Sequence, residues 1–136
     1  MHLEPYLSFD GTCEEALAFY GTIFGGGVTA MMRFEGTPAA DAMPPEERNR
    51  VMHANFKSPS LQFMASDGNR AVEMTGNRVV LSLSSNDIPE SQKTFEALCE
   101  GGTIAVPFAK TFWGAMFGMC TDKFGIDWMV NAELPH

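Results

Sequence analysis

Hydrophobic and polar positions alternate from Leu3 to Phe9, the period of a half-buried strand, and Asp10-Gly11 closes the run. The period then lengthens. Cys13, Ala16, Leu17, Tyr20 and Phe24 recur at the spacing of one helix face. Thr12 with Glu15 three residues on has the form of a capping box at its start, and Gly25-Gly26-Gly27 stops it. A strand is expected from Val28 to Phe34, followed by a polar, proline-containing loop from Glu35 to Arg50. Val51–Lys57 and Leu61–Ser66 read as two further strands joined by the turn Ser58-Pro59-Ser60. The pattern starts again after a polar linker. Val79–Ser84 is β-branched and apolar, Asp87 caps a second helix with Pro89 in its first turn, and Phe95 and Leu98 carry the apolar stripe. Gly101-Gly102 ends that helix, and strands are expected over Thr103–Phe108, Ala115–Thr121 and Gly125–Asn131.

The order strand–helix–three strands therefore occurs twice, which predicts an α+β protein of two tandem βαβββ modules. Module 1 spans about residues 1–67, the linker about 68–77 and module 2 about 78–132, within one domain covering 1–136. Some letters repeat too: Leu7-Ser8-Phe9 answers Leu81-Ser82-Leu83 at an offset of 74, while Phe19 answers Phe95 and Gly25-Gly26 answers Gly101-Gly102 at 76. Each sheet buries one face under its helix, and two such curved mixed sheets side by side leave a concave cavity for a small molecule. Alternation sends Phe63 and Trp128 to the helix side. Met64 and Met129 then point into the cavity, with Gln62, Ser66, Asp127 and Asn131 on the same parity.

Charge and composition narrow the partners. Nine Lys and Arg against seventeen Asp and Glu give a formal charge of -8, which argues against a nucleic-acid partner because phosphates call for a clustered basic face. No apolar run approaches a membrane span, and the first five residues do not read as a signal peptide. Cys13, Cys99 and Cys120 are odd in number and widely spaced, so reduced thiols in a cytoplasmic protein are expected rather than a disulfide framework or a structural zinc. Ten methionines and eleven phenylalanines fill cores well, and would equally line an adaptable apolar pocket.

Several stretches resemble one family. Pro5-Tyr6-Leu7-Ser8-Phe9-Asp10-Gly11, Phe19-Tyr20, His53-Ala54-Asn55, Ser66-Asp67-Gly68, Thr111-Phe112-Trp113-Gly114 and the block from Thr121 to Asn131 are similar to the vicinal oxygen chelate superfamily, which includes glyoxalase I, extradiol dioxygenases and the bleomycin-resistance proteins. The closer likeness is to its PhnB-like subfamily, labelled "3-demethylubiquinone methyltransferase-like". The resemblance implies the glyoxalase-like fold, commonly in a homodimer. The resemblance also implies where a metal would sit, since the superfamily's metal enzymes hold a divalent ion with His, Gln or Glu on the first and last strand of each module. Those positions fall here at or near Pro5, Met64, Val79 or Arg78, and Met129. Thioethers suit soft metals, so no metal or other cofactor is expected. No glycine-rich strand-to-helix fingerprint for a methyl donor or dinucleotide is present.

His53 is the one internal histidine and the one imidazole available for acid–base or ligand work. Asp67 and Asp122 are its conceivable companions, although each begins a turn in which a carboxylate takes backbone amides. Trp113 could cap a pocket or seal a dimer contact. The ligand-pocket candidates are His53, Trp113, Met64, Met129, Gln62, Ser66, Asp67, Asp122 and Asn131. Arg33, Arg48, Arg50, Arg70 and Arg78 could meet an anion, and the 35–50 loop could cover the cavity. No motif frames a serine or cysteine nucleophile, and no catalytic residue is assigned. Three readings follow: a metal-free small-molecule binder; a metal-dependent lyase, isomerase or dioxygenase with ligands rearranged around His53; or a non-catalytic dimeric module. The aromatic segment Phe108–Phe117 is the expected homodimer contact.

Overall fold

A computed structural model describes residues 3–67, 79–111 and 114–134. The chain divides into two compact units, Met1–Met74 and Thr75–His136. The first carries β1 (Tyr6–Ser8), α1 (Cys13–Phe24), β2 (Gly27–Arg33), β3 (Val51–Lys57) and β4 (Gln62–Ser66). The second carries β5 (Leu81–Ser85), α2 (Ile88–Cys99), β6 (Thr103–Lys110), β7 (Ala115–Thr121) and β8 (Asp127–Glu133). The sheet orders are β1-β4-β3-β2 and β5-β8-β7-β6, each with one parallel pair at the first strand and antiparallel pairs elsewhere. Two βαβββ modules are thus present. The segment expected as a linker lies outside the described residues, as do Arg70 and Arg78.

The ladders correct the repeat. Phe63 and Trp128 are both buried on the helix side, so Ala65 matches Val130 two residues on. Leu7 pairs with Ala65 and Leu83 pairs with Val130. Leu7 therefore answers Leu83, not Leu81, and the offset is 76, the same as for the glycines. The glycine match itself is physical. A Cβ on Gly26 would lie 2.1 Å from the Lys57 carbonyl oxygen, and one on Gly102 would lie 2.2 Å from that of Thr121. At both points the helix-to-strand connection runs hard against the turn that joins the last two strands of its module, and only glycine fits. Phe19 is half-buried whereas Tyr20 is fully buried, so the letter match of Phe19 with Phe95 does not mark equivalent core positions.

Strand β1 is shorter than the alternation suggested, because pairing with β4 supports only Tyr6 to Ser8. Helix α2 starts as expected, with Asp87 accepting from the Glu90 N–H at 3.0 Å and Pro89 in the first turn. Helix α1 does not. The Thr12 hydroxyl makes no capping bond, its backbone lying at φ -111 and ψ 11. The buried Asp67 carboxylate takes the Cys13 N–H instead, from 54 residues away at 2.8 Å.

Each core lies between helix and sheet. In the first unit Phe56 stacks on Phe63 at 4.8 Å between ring centroids, and Tyr20 meets Phe63 edge-on at 5.9 Å. In the second, Leu98, Trp128, Val130 and Ala132 are buried, and Phe95 stacks on Phe108 over Gly118, which has no side chain to obstruct the ring. No helix among the described residues is long and apolar enough to cross a membrane.

Candidate functional site

The face of the first sheet opposite α1 carries the polar cluster. On β3 the buried Ala54 and Phe56 alternate with the half-buried His53 and Asn55. Met64 is the partner of Tyr6 on one side and of Asn55 on the other, and Met32 is the partner of His53. His53 Nδ1 lies 3.5 Å from Tyr6 Oη, and its Nε2 lies 3.2 Å from Asn55 Oδ1. The Tyr6 and His53 rings are tilted at 5.8 Å. Tyr6 is 48% exposed and Met32 53%, so this face offers apolar surface with a few polar groups set into it. Tyr6 and Asn55 were not among the sequence candidates. Asn55 was legible from its parity with His53, whereas Tyr6 depends on the parallel β1–β4 register, which no local pattern encodes.

Of the remaining first-unit candidates, Gln62 is exposed at the far end of β4 beside Lys57, and Ser66 is buried. Asp67 is 4% exposed, and its two oxygens accept the Cys13 and Val51 N–H groups, each at 2.8 Å. It ties the start of α1 to the start of β3.

In the second unit Met129 and Asn131 are half-buried on β8, opposite the exposed Ser82 and Ser84 of β5 and the half-buried Met119 and Phe117 of β7. Asp127 accepts from the Thr121 hydroxyl. Asp122 is 3% exposed. Its Oδ1 accepts the Phe124 and Ile126 N–H groups at 2.8 and 3.1 Å, and its Oδ2 accepts the Trp128 indole N–H at 2.8 Å. Phe108 is already stacked on Phe95, and Met116 and Phe117 are half-buried. Phe112 and Trp113 lie outside the described residues.

The described arginines have local partners. Arg33 pairs with Glu14 at 2.7 Å, Arg50 with Asp10 at 2.8 Å, and Arg48 donates to the Ala40 carbonyl at 2.9 Å. That last bond and the buried Ala40 anchor the segment between β2 and β3, which holds two short 3-10 turns, Pro38–Ala42 and Pro45–Glu47.

The residues at the positions where the resemblance implies metal ligands do not fit a hard divalent ion. The register places Ser82 beside Met129, while Val79 precedes β5 and is 77% exposed, so the expected position at Val79 or Arg78 shifts to Ser82. Met64 and Tyr6 occupy the corresponding place in the first unit. A thioether and a phenol in the first unit, and a thioether and an aliphatic hydroxyl in the second, are each poor donors for such an ion. Among the described residues no three His, Cys, Asp or Glu side chains converge.

Burial pushes the Cys13 thiol up from 9.0 to about 12, helped by the nearby Asp67 charge, and burial likewise pushes Cys120 up to about 12. Cys99, at the end of α2, is half-exposed. Unfolded thiols ionise from about pH 9 and these folded ones do not, so the two buried groups draw stability down as pH rises from 9 towards 12. At pH 8, Ellman's reagent is expected to label one thiol promptly and the other two only in denaturant. Labelling of Cys13 or Cys120 in the folded protein at the rate of Cys99 would contradict this burial.

An open groove of about 550 Å3 runs between α1 and β2, lined by Leu17, Ala18, Gly21, Val28 and Met31 among others. It lies on the opposite side of the sheet from His53. Glu14, the one charged group there, is engaged by Arg33, so little remains to orient a ligand.

The 3-demethylubiquinone-9 3-methyltransferase family model matches residues 1–131. Protein YjdN of Escherichia coli (strain K12) is 32% identical, with 96% of this chain and 95% of that protein covered. Among solved structures, protein PA1353 from Pseudomonas aeruginosa has 38% identity, a TM-score of 0.84 and 99% coverage of both chains. The PhnB protein from Bacillus cereus has 24% identity, a TM-score of 0.80 and coverage of 97% and 99%, a likeness of fold. Glyoxalase/bleomycin-resistance proteins share the fold at 14% identity.

Proposed function

Because the chain belongs to the 3-demethylubiquinone-9 3-methyltransferase family, the PhnB-like branch of the vicinal oxygen chelate superfamily, we propose that it binds a small organic molecule on the open face of its first sheet without a resident divalent metal. The observation that carries this reading is His53, held between Tyr6 and Asn55 beside the thioethers of Met64 and Met32. A few convergent polar groups on an apolar floor are what orient a small ligand. The family description names a methyl transfer. The strand-to-helix turns here, Asp10-Gly11-Thr12 and Asn86-Asp87, lack the glycine-rich pattern that cradles a nucleotide-bearing donor. The proposal is therefore for binding and not for methylation.

A thermal-shift screen across aromatic, enolisable and carboxylate compounds tests it. A ligand at one hundred times its Kd adds about 2.7 kcal/mol to apparent stability. The expected result is a rise in Tm for at least one class, lost in His53→Ala. No shift from any class would contradict the proposal.

The reading includes a homodimer. Strand β6 is an edge strand exposed at nearly every position, with Ile104 52% and Val106 40% exposed. Such an edge invites pairing with a second copy. Light scattering is expected to return a mass of about 30 kDa, twice the chain, with closed two-fold symmetry, and Ile104→Lys with Val106→Lys is expected to halve it. A wild-type monomer persisting at micromolar concentration would overturn the dimer.

A further inference from the structure

The contacts of His53 carry more than its position. A neutral imidazole has one donor nitrogen and one acceptor nitrogen. Asn55 Oδ1, an acceptor, faces Nε2 at 3.2 Å, an arrangement that favours the tautomer with its proton on Nε2. Nδ1 is then the acceptor, and it faces the Tyr6 phenol. An orienting carbonyl or carboxylate selects the working tautomer of a general base in the same way.

The second distance matters as well. Tyr6 Oη and His53 Nδ1 are 3.5 Å apart, the long limit of a hydrogen bond, so this contact is weak. The phenol and the imidazole face each other loosely enough for a third group to compete for both. A donor and a base stand side by side on a half-exposed surface, over Met64, the Cα partner of both Tyr6 and Asn55. An oxygen seated between them would accept from Tyr6 and give up a proton to His53.

The geometry points to Tyr6, His53 and Asn55 as a proton-accepting site for a weakly acidic hydroxyl, a phenol or the enol of a carbonyl compound. The ligand O–H bond breaks, its proton forms the Nδ1–H bond of His53, and the electron pair stays on the ligand oxygen. The Tyr6 O–H donates to that oxyanion. Asn55 Oδ1 keeps the Nε2–H bond, which is stronger once the ring is an imidazolium. No oxidant or further reactant enters. Tyr6 and His53 touch the ligand, while Asn55 acts through His53 and is a positioning residue. The inference rests on the open-face binding proposed above and adds the chemistry of the ligand.

Two measurements test it. The first needs no ligand. In nitrogen-15 spectra of the neutral wild-type ring, His53 is expected to carry its proton on Nε2, and Asn55→Ala is expected to give a tautomer mixture that Asn55→Asp restores. A proton on Nδ1 in the wild type would overturn the inference. The second uses 4-nitrophenol, colourless as the acid and yellow as the anion, in buffer just below the probe's own pKa, where most of the free probe is colourless and an ordinary imidazole is still largely neutral. Wild-type protein is expected to raise the yellow band. His53→Gln should abolish that rise while the probe still shifts the Met64 methyl signal. Tyr6→Phe should weaken binding about 10-fold, the worth of one hydrogen bond to a charged oxygen. A probe that shifts Met64 with no rise in the anion band overturns the proton-accepting role and leaves open-face binding standing. A probe that shifts no open-face signal overturns the ligand class, and open-face binding falls with it only if the wider screen also finds no ligand.

Discussion

Replacing Asp67 by alanine is expected to lower the unfolding free energy by about 3–5 kcal/mol. The carboxylate accepts two backbone N–H groups, those of Cys13 and Val51, each at 2.8 Å in a site 4% exposed. Each charge-assisted bond contributes about 1.5–3 kcal/mol, and its loss leaves a buried donor with no acceptor. A domain of this size is stable by about 5–15 kcal/mol, so the substitution removes a large share. Asp67→Asn should cost less, because one oxygen can still accept while the amide nitrogen turns a donor towards the other N–H. Urea unfolding followed by far-ultraviolet circular dichroism measures both variants. A loss below about 1 kcal/mol for the alanine variant would show that Asp67 does not hold α1 to β3.

The second large effect is expected at Trp128. It is among the largest fully buried side chains, and its indole donates to Asp122 Oδ2 at 2.8 Å. Trp128→Ala is expected to cost about 5 kcal/mol, combining a core truncation of about 3–5 with the loss of a donor to a buried carboxylate. Trp128→Phe keeps most of the volume and should cost about 2 kcal/mol, mainly the lost N–H. Asp122→Ala should be less damaging in the Trp128→Phe background than in the wild type, since one of its bonds is already gone, and a double-mutant cycle reads that coupling. Strict additivity would mean that the indole bond contributes nothing.

These two carboxylates show what the sequence could carry. That Asp67 and Asp122 begin turns and take backbone amides was readable from their neighbours. That Asp67 reaches across 54 residues to cap α1 was not, because the capping box at Thr12 and Glu15 is a local signal and the bond that replaces it is tertiary. The order of elements was legible because period-two and helical spacing switch cleanly and turn residues punctuate them. The offset between modules was misread by two residues at the first strand, since Leu-Ser recurs within Leu81-Ser82-Leu83-Ser84 and only the ladder tells the two leucines apart. His53 and Met64 were visible one strand at a time. Tyr6 joins them through the parallel β1–β4 pairing, a contact set by topology.

The central claim is that ligands enter on the His53 face and not in the groove beside α1. Methionine-methyl spectra recorded during titration with a compound that raises Tm test it directly, because methionines report from both places. Met64 and Met32 belong to the open face, and Met31 lines the groove. Saturable shifts of Met64 and Met32 with Met31 unmoved are the predicted result, and shifts confined to Met31 would contradict it.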